Sequence, residues 1–167
     1  MKIVQDYARW AGQKRGNRAV IVYDTMWKST DRMARAIGEG LYAGGTPTKL
    51  MSMSSVHRSD VATELLDAGA LVVGVPTINN SMFPTIADVL TYLGGLKPKN
   101  LVGAAFGSFG WSGEATKQAN ELLGKMNVEL VADPLRVKYV PDGSDLKPCY
   151  ELGLKIAARL KEKFGPA

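Results

Sequence analysis

The chain has 167 residues, 46% hydrophobic and 22% charged, which is enough apolar material for one core and too little length for two full domains. No apolar run approaches the roughly 18 residues of a membrane span. There is no signal-peptide pattern, and the lone Cys149 allows no internal disulfide, so a cytoplasmic setting is expected. The single histidine, His57, and the single cysteine exclude a multi-histidine metal centre and an iron–sulfur cluster held by this chain. The net charge of +5 would suit a nucleic-acid partner, but Lys2, Arg9, Lys14, Arg15 and Arg18 against Asp6 concentrate +4 of it in residues 1–18. The remainder is nearly neutral and carries no zinc-ligand spacing or basic–aromatic interleaving, so neither nucleic acid nor membrane is expected as a partner.

In chain order, Ile3, Val4, Tyr7, Ala8 and Ala11 recur at helical spacing, and Gly12 to Gly16 follow as a polar linker. Residues 1–18 therefore read as a helix and connector. Residues 18–23 (Arg-Ala-Val-Ile-Val-Tyr) form a continuous apolar run of the kind buried on both faces of a parallel sheet. Similar runs follow at 48–51, 70–75 and 101–106, with a weaker one at 128–139 interrupted by Asp133-Pro134. Between them lie helical stripes. Met33, Ile37 and Leu41 form the first; Val61, Leu65 and Leu66 the second, ended by Gly69; Ile86, Val89, Leu90 and Leu93 the third, ended by Gly94-Gly95. Ala115, Ala119, Leu122 and Met126 form the fourth, and Leu146, Tyr150, Leu154, Ala157 and Leu160 the last. This alternation predicts an α/β three-layer sandwich over 19–164, with a five-stranded parallel sheet of order 2-1-3-4-5. In that topology ligands bind at the carboxyl ends of strands 1, 3 and 4.

The loops at those ends carry the candidate chemistry. The first, Thr25-Met26-Trp27-Lys28-Ser29-Thr30, puts hydroxyls beside the free N–H groups of a helix N-terminus, which suits a phosphate monoester. An ordinary Ser/Thr helix cap would use the same residues, and no dinucleotide or P-loop glycine pattern is present. The second, Pro76-Thr77-Ile78-Asn79-Asn80, mixes amide, hydroxyl and apolar groups, as a flat heterocycle requires. It contains no glycine, so turning a peptide over against a bound ring would be costly there. The third, Ser108-Phe109-Gly110-Trp111-Ser112-Gly113, combines close backbone approach with a large flat ring. Together they fit a planar aromatic ligand with a monophosphate tail, for which FMN is the candidate.

These three runs, with Val20-Ile-Val-Tyr23 before the first, resemble the flavodoxin-like FMN-binding domain of the flavo-diiron proteins (A-type flavoproteins) over residues 19–164. The segment Tyr7-Ala-Arg-Trp10 is similar to that family's connector between its metallo-β-lactamase-like and flavin domains. The resemblance implies that Thr25, Met26, Trp27, Ser29 and Thr30 bind the FMN phosphate and that Pro76, Thr77, Ile78, Asn79 and Asn80 flank the isoalloxazine. It assigns Ser108, Phe109, Gly110, Trp111, Ser112 and Gly113 to the third loop, with Trp111 as the stacking ring. Lys28 stands where flavodoxins commonly have glycine and brings a cation to the phosphate loop.

The resemblance further implies an electron-transfer module. Its donor would be rubredoxin or a reductase, and its acceptor a di-iron centre that reduces oxygen or nitric oxide. This sequence lacks the histidine- and carboxylate-rich half, so it reads as an excised domain, a single-domain relative, or a subunit whose oxidase half is separate. Flavin carries the redox chemistry, so no catalytic acid–base residue and no metal ligand is assigned. Alternatives on the same fold are an FMN-dependent NAD(P)H:quinone oxidoreductase, a stand-alone flavodoxin-type carrier, and an interaction domain without flavin. A receiver-like signalling module would need aspartate at the end of the third strand, where Val75-Pro76 stands. His57 reads as a surface residue and Cys149 as a partly buried structural thiol. The oligomeric state is left open.

Overall fold

A computed structural model describes residues 2–167; Met1, the first residue of the connector segment, lies outside the described residues. Helix α1 (Lys2–Ala11) leads into β1 (Gly16–Tyr23), followed by α2 (Ser29–Ala43), β2 (Thr48–Ser52), α3 (Arg58–Glu64) and β3 (Ala68–Gly74). A two-stranded hairpin, β4 (Thr77–Ile78) and β5 (Ser81–Met82), precedes α4 (Pro84–Leu96), β6 (Val102–Phe109) and α5 (Glu114–Lys125). The chain closes with β7 (Glu129–Leu130), β8 (Leu135–Lys138) and α6 (Gly143–Phe164).

The main sheet runs β2-β1-β3-β6, and then β7 and β8 pair with the beginning and the end of β6. Every pairing in it is parallel. This is the expected order, with the fifth strand divided in two. Asp133-Pro134 lies at the division, where proline has no N–H to give a ladder. β1 and β3 are apolar throughout because helices cover both faces. On one side Ile21, Val72 and Phe106 pack with Met33, Ile37, Leu152 and Ile156 from α2 and α6. On the other, Val22, Val73 and Ala105 pack with Val61, Leu90 and Leu123 from α3, α4 and α5.

Two glycines set the spacing of α2 against α6. A Cβ at Gly153 would lie 2.8 Å from the Leu41 nitrogen and 2.9 Å from the Gly40 Cα, so the helix backbones meet with no side chain between them. This seam fixes the axis of α2, and with it the phosphate-type loop that enters the helix.

Three boundaries differ from the sequence expectation. Gly69 does not end a helix: α3 stops at Glu64, and Gly69 lies inside β3, where a Cβ would strike the Gly16 carbonyl oxygen of β1. Gly94-Gly95 lies within α4, whose cap is Lys97 in the left-handed region at φ 51°. Residues 77–82, expected as plain loop, form the hairpin β4–β5. Asn79 and Asn80 supply the two positive φ values, 48° and 57°, that a two-residue hairpin turn of the mirror-image type needs.

The leader is docked rather than free. Arg9 and the Trp10 indole both donate to Asp67 Oδ1, at 2.8 and 2.9 Å. Gln13 Oε1 accepts from the Lys99 amide at 2.6 Å, and Arg15 donates to the backbone oxygens of Lys99 and Leu65. All these contacts lie at the amino end of the sheet. Ile3, Val4 and Tyr7 remain exposed on α1. His57 is the exposed cap of α3, with its ring accepting from the Ser59 amide. Cys149 is fully buried, more so than the sequence suggested; burial, with Asp145 nearby, pushes its thiol up to about 11. No helix among the described residues is long and apolar enough to cross a membrane.

Candidate flavin site

Three loops meet at the carboxyl ends of β1, β3 and β6. The first is anchored by Asp24, buried at the end of β1: its Oδ1 accepts from the Thr25 amide at 2.8 Å and its Oδ2 from the Thr85 hydroxyl at 2.6 Å. Asp24 therefore ties the loop to the first turn of α4. Lys28 precedes α2 at φ 65°, a left-handed position that favours glycine. No side chain among the described residues caps α2.

That last fact separates the two readings of Ser29 and Thr30. They do not cap the helix. Thr30 is fully buried and its hydroxyl meets the Ser108 hydroxyl at 3.2 Å, joining the first loop to β6. The Thr25 hydroxyl oxygen is buried with no hydrogen-bond partner among the described residues. α3 and α6 each begin with a complete capping box, His57/Asp60 and Asp142/Asp145, whereas α4 and α5 lack a side-chain cap as α2 does; what marks the α2 end is its position at the cleft beside the unpartnered Thr25 hydroxyl. An uncapped helix end beside an unpartnered hydroxyl is a site whose hydrogen bonds are supplied by a ligand, and a phosphate monoester satisfies both.

The cleft above this loop has a volume of about 250 Å³. Thr25, Met26, Trp27 and Ser29 line it from the first loop, Pro76 and Thr77 from the second, and Ser108, Phe109 and Gly110 from the third. Of the other candidates, Thr30 lies beneath it and Lys28 turns to a neighbouring polar cavity. Ile78, Asn79, Asn80, Ser112 and Gly113 are not among the residues that line it. The Ser112 hydroxyl donates to Asn80 Oδ1 at 2.9 Å, and Gln118 accepts from the Met82 amide at 3.0 Å. Trp111 is 93% exposed and Trp27 85%, so both rings stand in solvent.

Sequence reasoning missed a fourth segment, Tyr139 and Val140 between β8 and α6, which also lines the cleft. The Tyr139 amide donates to the Phe109 oxygen at 2.7 Å, and its backbone is held at φ 64°, a strained conformation for an aromatic residue. The apolar pair at the end of the interrupted fifth strand was the available signal. A larger cavity, about 890 Å³, lies at the other end of the fold between α4 and α5. Its Lys97 and Lys125 sit at helix C-termini, where cations offset the helix dipole.

Beside the phosphate loop, the Tyr23 hydroxyl donates to Asp31 Oδ1 at 2.6 Å and Arg35 donates to Oδ2 at 2.9 Å. Burial, then this bond, pushes the Tyr23 phenol up to about 12. Burial alone would raise the Asp31 carboxyl, but Arg35, Tyr23 and the charge of Lys28 outweigh it and hold it below the usual carboxylate range.

A parallel sheet of this order, with an aromatic-rimmed cleft over a phosphate-type loop, defines a flavodoxin-like domain. Residues 21–153 match the flavodoxin family, and the chain belongs to it. It is 51% identical over 162 residues to a nitric oxide reductase of Moorella thermoacetica, covering 96% of this chain and 41% of that protein. The solved structure of the rubredoxin oxygen:oxidoreductase of Desulfovibrio gigas superposes with a TM-score of 0.93 at 45% identity, over 96% of this chain and 40% of that one. An archaeal flavodoxin superposes at 0.77 and 32% identity, over 86% of this chain and 99% of its own length. The chain thus spans about 40% of the flavo-diiron relatives it matches, the share that forms their flavodoxin-like part. Its cofactor is FMN, and the unpartnered Thr25 hydroxyl at the cleft fits the FMN phosphate.

Proposed function

We propose that this domain is an electron-transfer module that takes electrons from a redox protein, rubredoxin or a reductase, and passes them to a di-iron centre on another domain or subunit that reduces oxygen or nitric oxide. The observation that carries this reading is the uncapped end of α2 beside the unpartnered Thr25 hydroxyl, at the mouth of a cleft built from three strand ends. FMN supplies one- and two-electron redox chemistry when bound.

In this reading Thr25, Ser29 and the first amides of α2 bind the phosphate. Thr30 supports them through Ser108. Met26, Trp27, Phe109, Gly110 and Tyr139 flank the ring, and Thr77 lines the cleft from the second loop with its hydroxyl accepting from the Ala115 amide at 3.4 Å. Asn80 and Ser112 tie the second loop to the third, while Trp111, exposed to solvent, is available to close over the ring or to meet a partner. Residues 1–18 act as the connector and 19–164 as the flavin domain, in a cytoplasmic setting that suits the single buried thiol.

The test is reconstitution. The apoprotein is expected to bind FMN in a one-to-one complex and to be reduced by rubredoxin with its reductase. It should be reoxidised by an added di-iron domain of a flavo-diiron relative under oxygen or nitric oxide. Reduction should slow as salt is raised, because a basic leader and a near-neutral body admit an acidic donor. FMN that binds but exchanges no electrons with either partner would overturn the proposal. The archaeal flavodoxin match over its whole length favours a stand-alone carrier as the second reading. That reading predicts reduction by the donor and indifference to the di-iron domain.

A further inference from the structure

We propose that the cavity between the C-terminal turns of α4 and α5 is a second ligand site, one that takes a nucleoside polyphosphate. It shares no lining residue with the flavin cleft, so its ligand is independent of the flavin reading above. Its volume of about 890 Å³ lies within the roughly 300–1,000 Å³ of small-molecule pockets.

The lining is cationic around an apolar floor. Lys97, Lys99, Lys125 and Lys163 stand against one carboxylate, Glu129. Glu129 is already held, because Lys163 donates to its Oε2 at 3.0 Å and Arg159 to its Oε1. Lys97, Lys99 and Lys125 form no ion pair among the described residues. The two helix C-termini oppose an anion with about half a charge each, which the three unpaired ammonium groups exceed by about two charges. Lys97 takes a left-handed φ of 51° at the cap of α4, a position usually given to glycine, and so brings a cation to that helix end. Beneath the lysines lie Leu90 and the half-buried Leu122 and Met126. Gly94 leaves this floor open, since the nearest atom to a Cβ built there would be the Met126 sulfur at 3.8 Å. A thioether and leucine side chains beside bare helix backbone suit the face of a flat base. Asn100 and Asn127 line the same cavity and supply amide donors and acceptors for the edge of a base or a ribose. Unpaired cations beside such a floor fit a base that carries two or three phosphates, whereas inorganic phosphates would use the cations alone.

The experiment titrates the native chain, with FMN present, with magnesium-free ATP and with inorganic tripolyphosphate, read by calorimetry and by NMR. ATP is expected to bind in the micromolar range at low salt, with amide shifts at residues 94–100 and 122–129 and none at 25–30. Lys97→Gln and Lys125→Gln should each weaken ATP about fivefold. Gly94→Leu, which fills the floor, should weaken ATP about tenfold and leave tripolyphosphate within about twofold. Both lysines are exposed, so their variants test the site even where Gly94→Leu fails to fold. ATP that does not bind at millimolar concentration, or that binds equally well to both lysine variants, overturns the inference. Tripolyphosphate that matches ATP in affinity would make the cavity a general anion surface and overturn it as well. Shifts confined to residues 25–30 would assign ATP to the flavin loop, and a polyglutamate peptide that binds more tightly than ATP would assign the face to an acidic protein; either result overturns it. The affinity for FMN enters none of these readouts, so failure of the flavin reading leaves the inference standing.

Discussion

Thr25→Val separates what the first loop does for the fold from what it does for the cofactor. The Thr25 hydroxyl is buried without a partner among the described residues. Leaving such a group unsatisfied costs about 1–3 kcal/mol, whereas an apolar isostere costs nothing of that kind. Valine keeps the β-branched shape and removes the hydroxyl, so the apoprotein should gain about 1 kcal/mol, a rise in Tm of about 2–4 °C for a domain of this size. With FMN the sign reverses. A hydrogen bond to a charged phosphate contributes about 1.5–3 kcal/mol, so its loss should weaken FMN by about 10- to 150-fold. Urea denaturation of the apoprotein and calorimetric titration with FMN read the two halves independently. A variant that is less stable as apoprotein and binds FMN unchanged would refute the reasoning, because the hydroxyl would then be a structural group with an unseen partner.

Lys28→Gly relieves a left-handed residue that costs a side chain about 1–2 kcal/mol and adds about 0.5–1 kcal/mol of unfolded-state entropy; the apoprotein should stabilise by about 0.5 kcal/mol in urea melts, while FMN binding at low salt weakens a few-fold and loses part of its salt dependence. Gly153→Ala places a Cβ 2.8 Å from the Leu41 nitrogen and should destabilise by about 1–3 kcal/mol, whereas Gly124→Ala, with no neighbour within 4 Å, should stabilise by about 0.5 kcal/mol; equal responses in denaturant melts would show that the α2–α6 seam can spread. Tyr23→Phe removes a hydrogen bond to Asp31 and should raise that carboxyl toward its ordinary value, as followed by NMR titration. Because the Asp31 value is depressed, the stability it contributes is present above the unfolded value of about 3.9 and is lost as pH falls through the folded one, so the variant should lose acid-range stability at a higher pH. For Tyr23 itself, raised to about 12, the contribution is present below the ordinary phenol value and lost as pH rises toward that figure.

The strands and the crevice were legible because strands buried on both faces leave unbroken apolar runs, and the topology then puts three loops at one end. What escaped was governed by backbone. Gly69 and Gly94 look alike as helix stops, yet one lets β3 approach the Gly16 carbonyl of β1 and the other is a tolerated helix interior. Asn79-Asn80 reads as loop until both adopt positive φ and turn a hairpin. That the leader docks was not legible, because two of its anchors, the carbonyls of Leu65 and Lys99, belong to any sequence. Tyr139 was hidden for a related reason. A strand broken at Asp133-Pro134 gave no ground to expect that its second half would pair with the end of β6, Phe106 to Phe109, and deliver an aromatic ring to the cleft.

The polar ties among the site loops join Thr30 to Ser108, Asp24 to Thr85, Ser112 to Asn80, and Gln118 to the hairpin. None of these uses the Thr25 hydroxyl, the Ser29 side chain or a cap on α2. The groups assigned to the cofactor are therefore unspent while the frame around them is satisfied, so FMN need not reorganise the loops to bind. The exposed rings are the exception. Trp27 and Trp111 are held by no polar tie among the described residues, and each can change rotamer at little cost. Under the proposed function, binding of the flavin and docking of a redox partner are thus separable events at this site, the first using a preformed polar floor and the second an exposed aromatic rim. Substitution of Trp111 should accordingly alter electron exchange with the partner more than it alters the affinity for FMN.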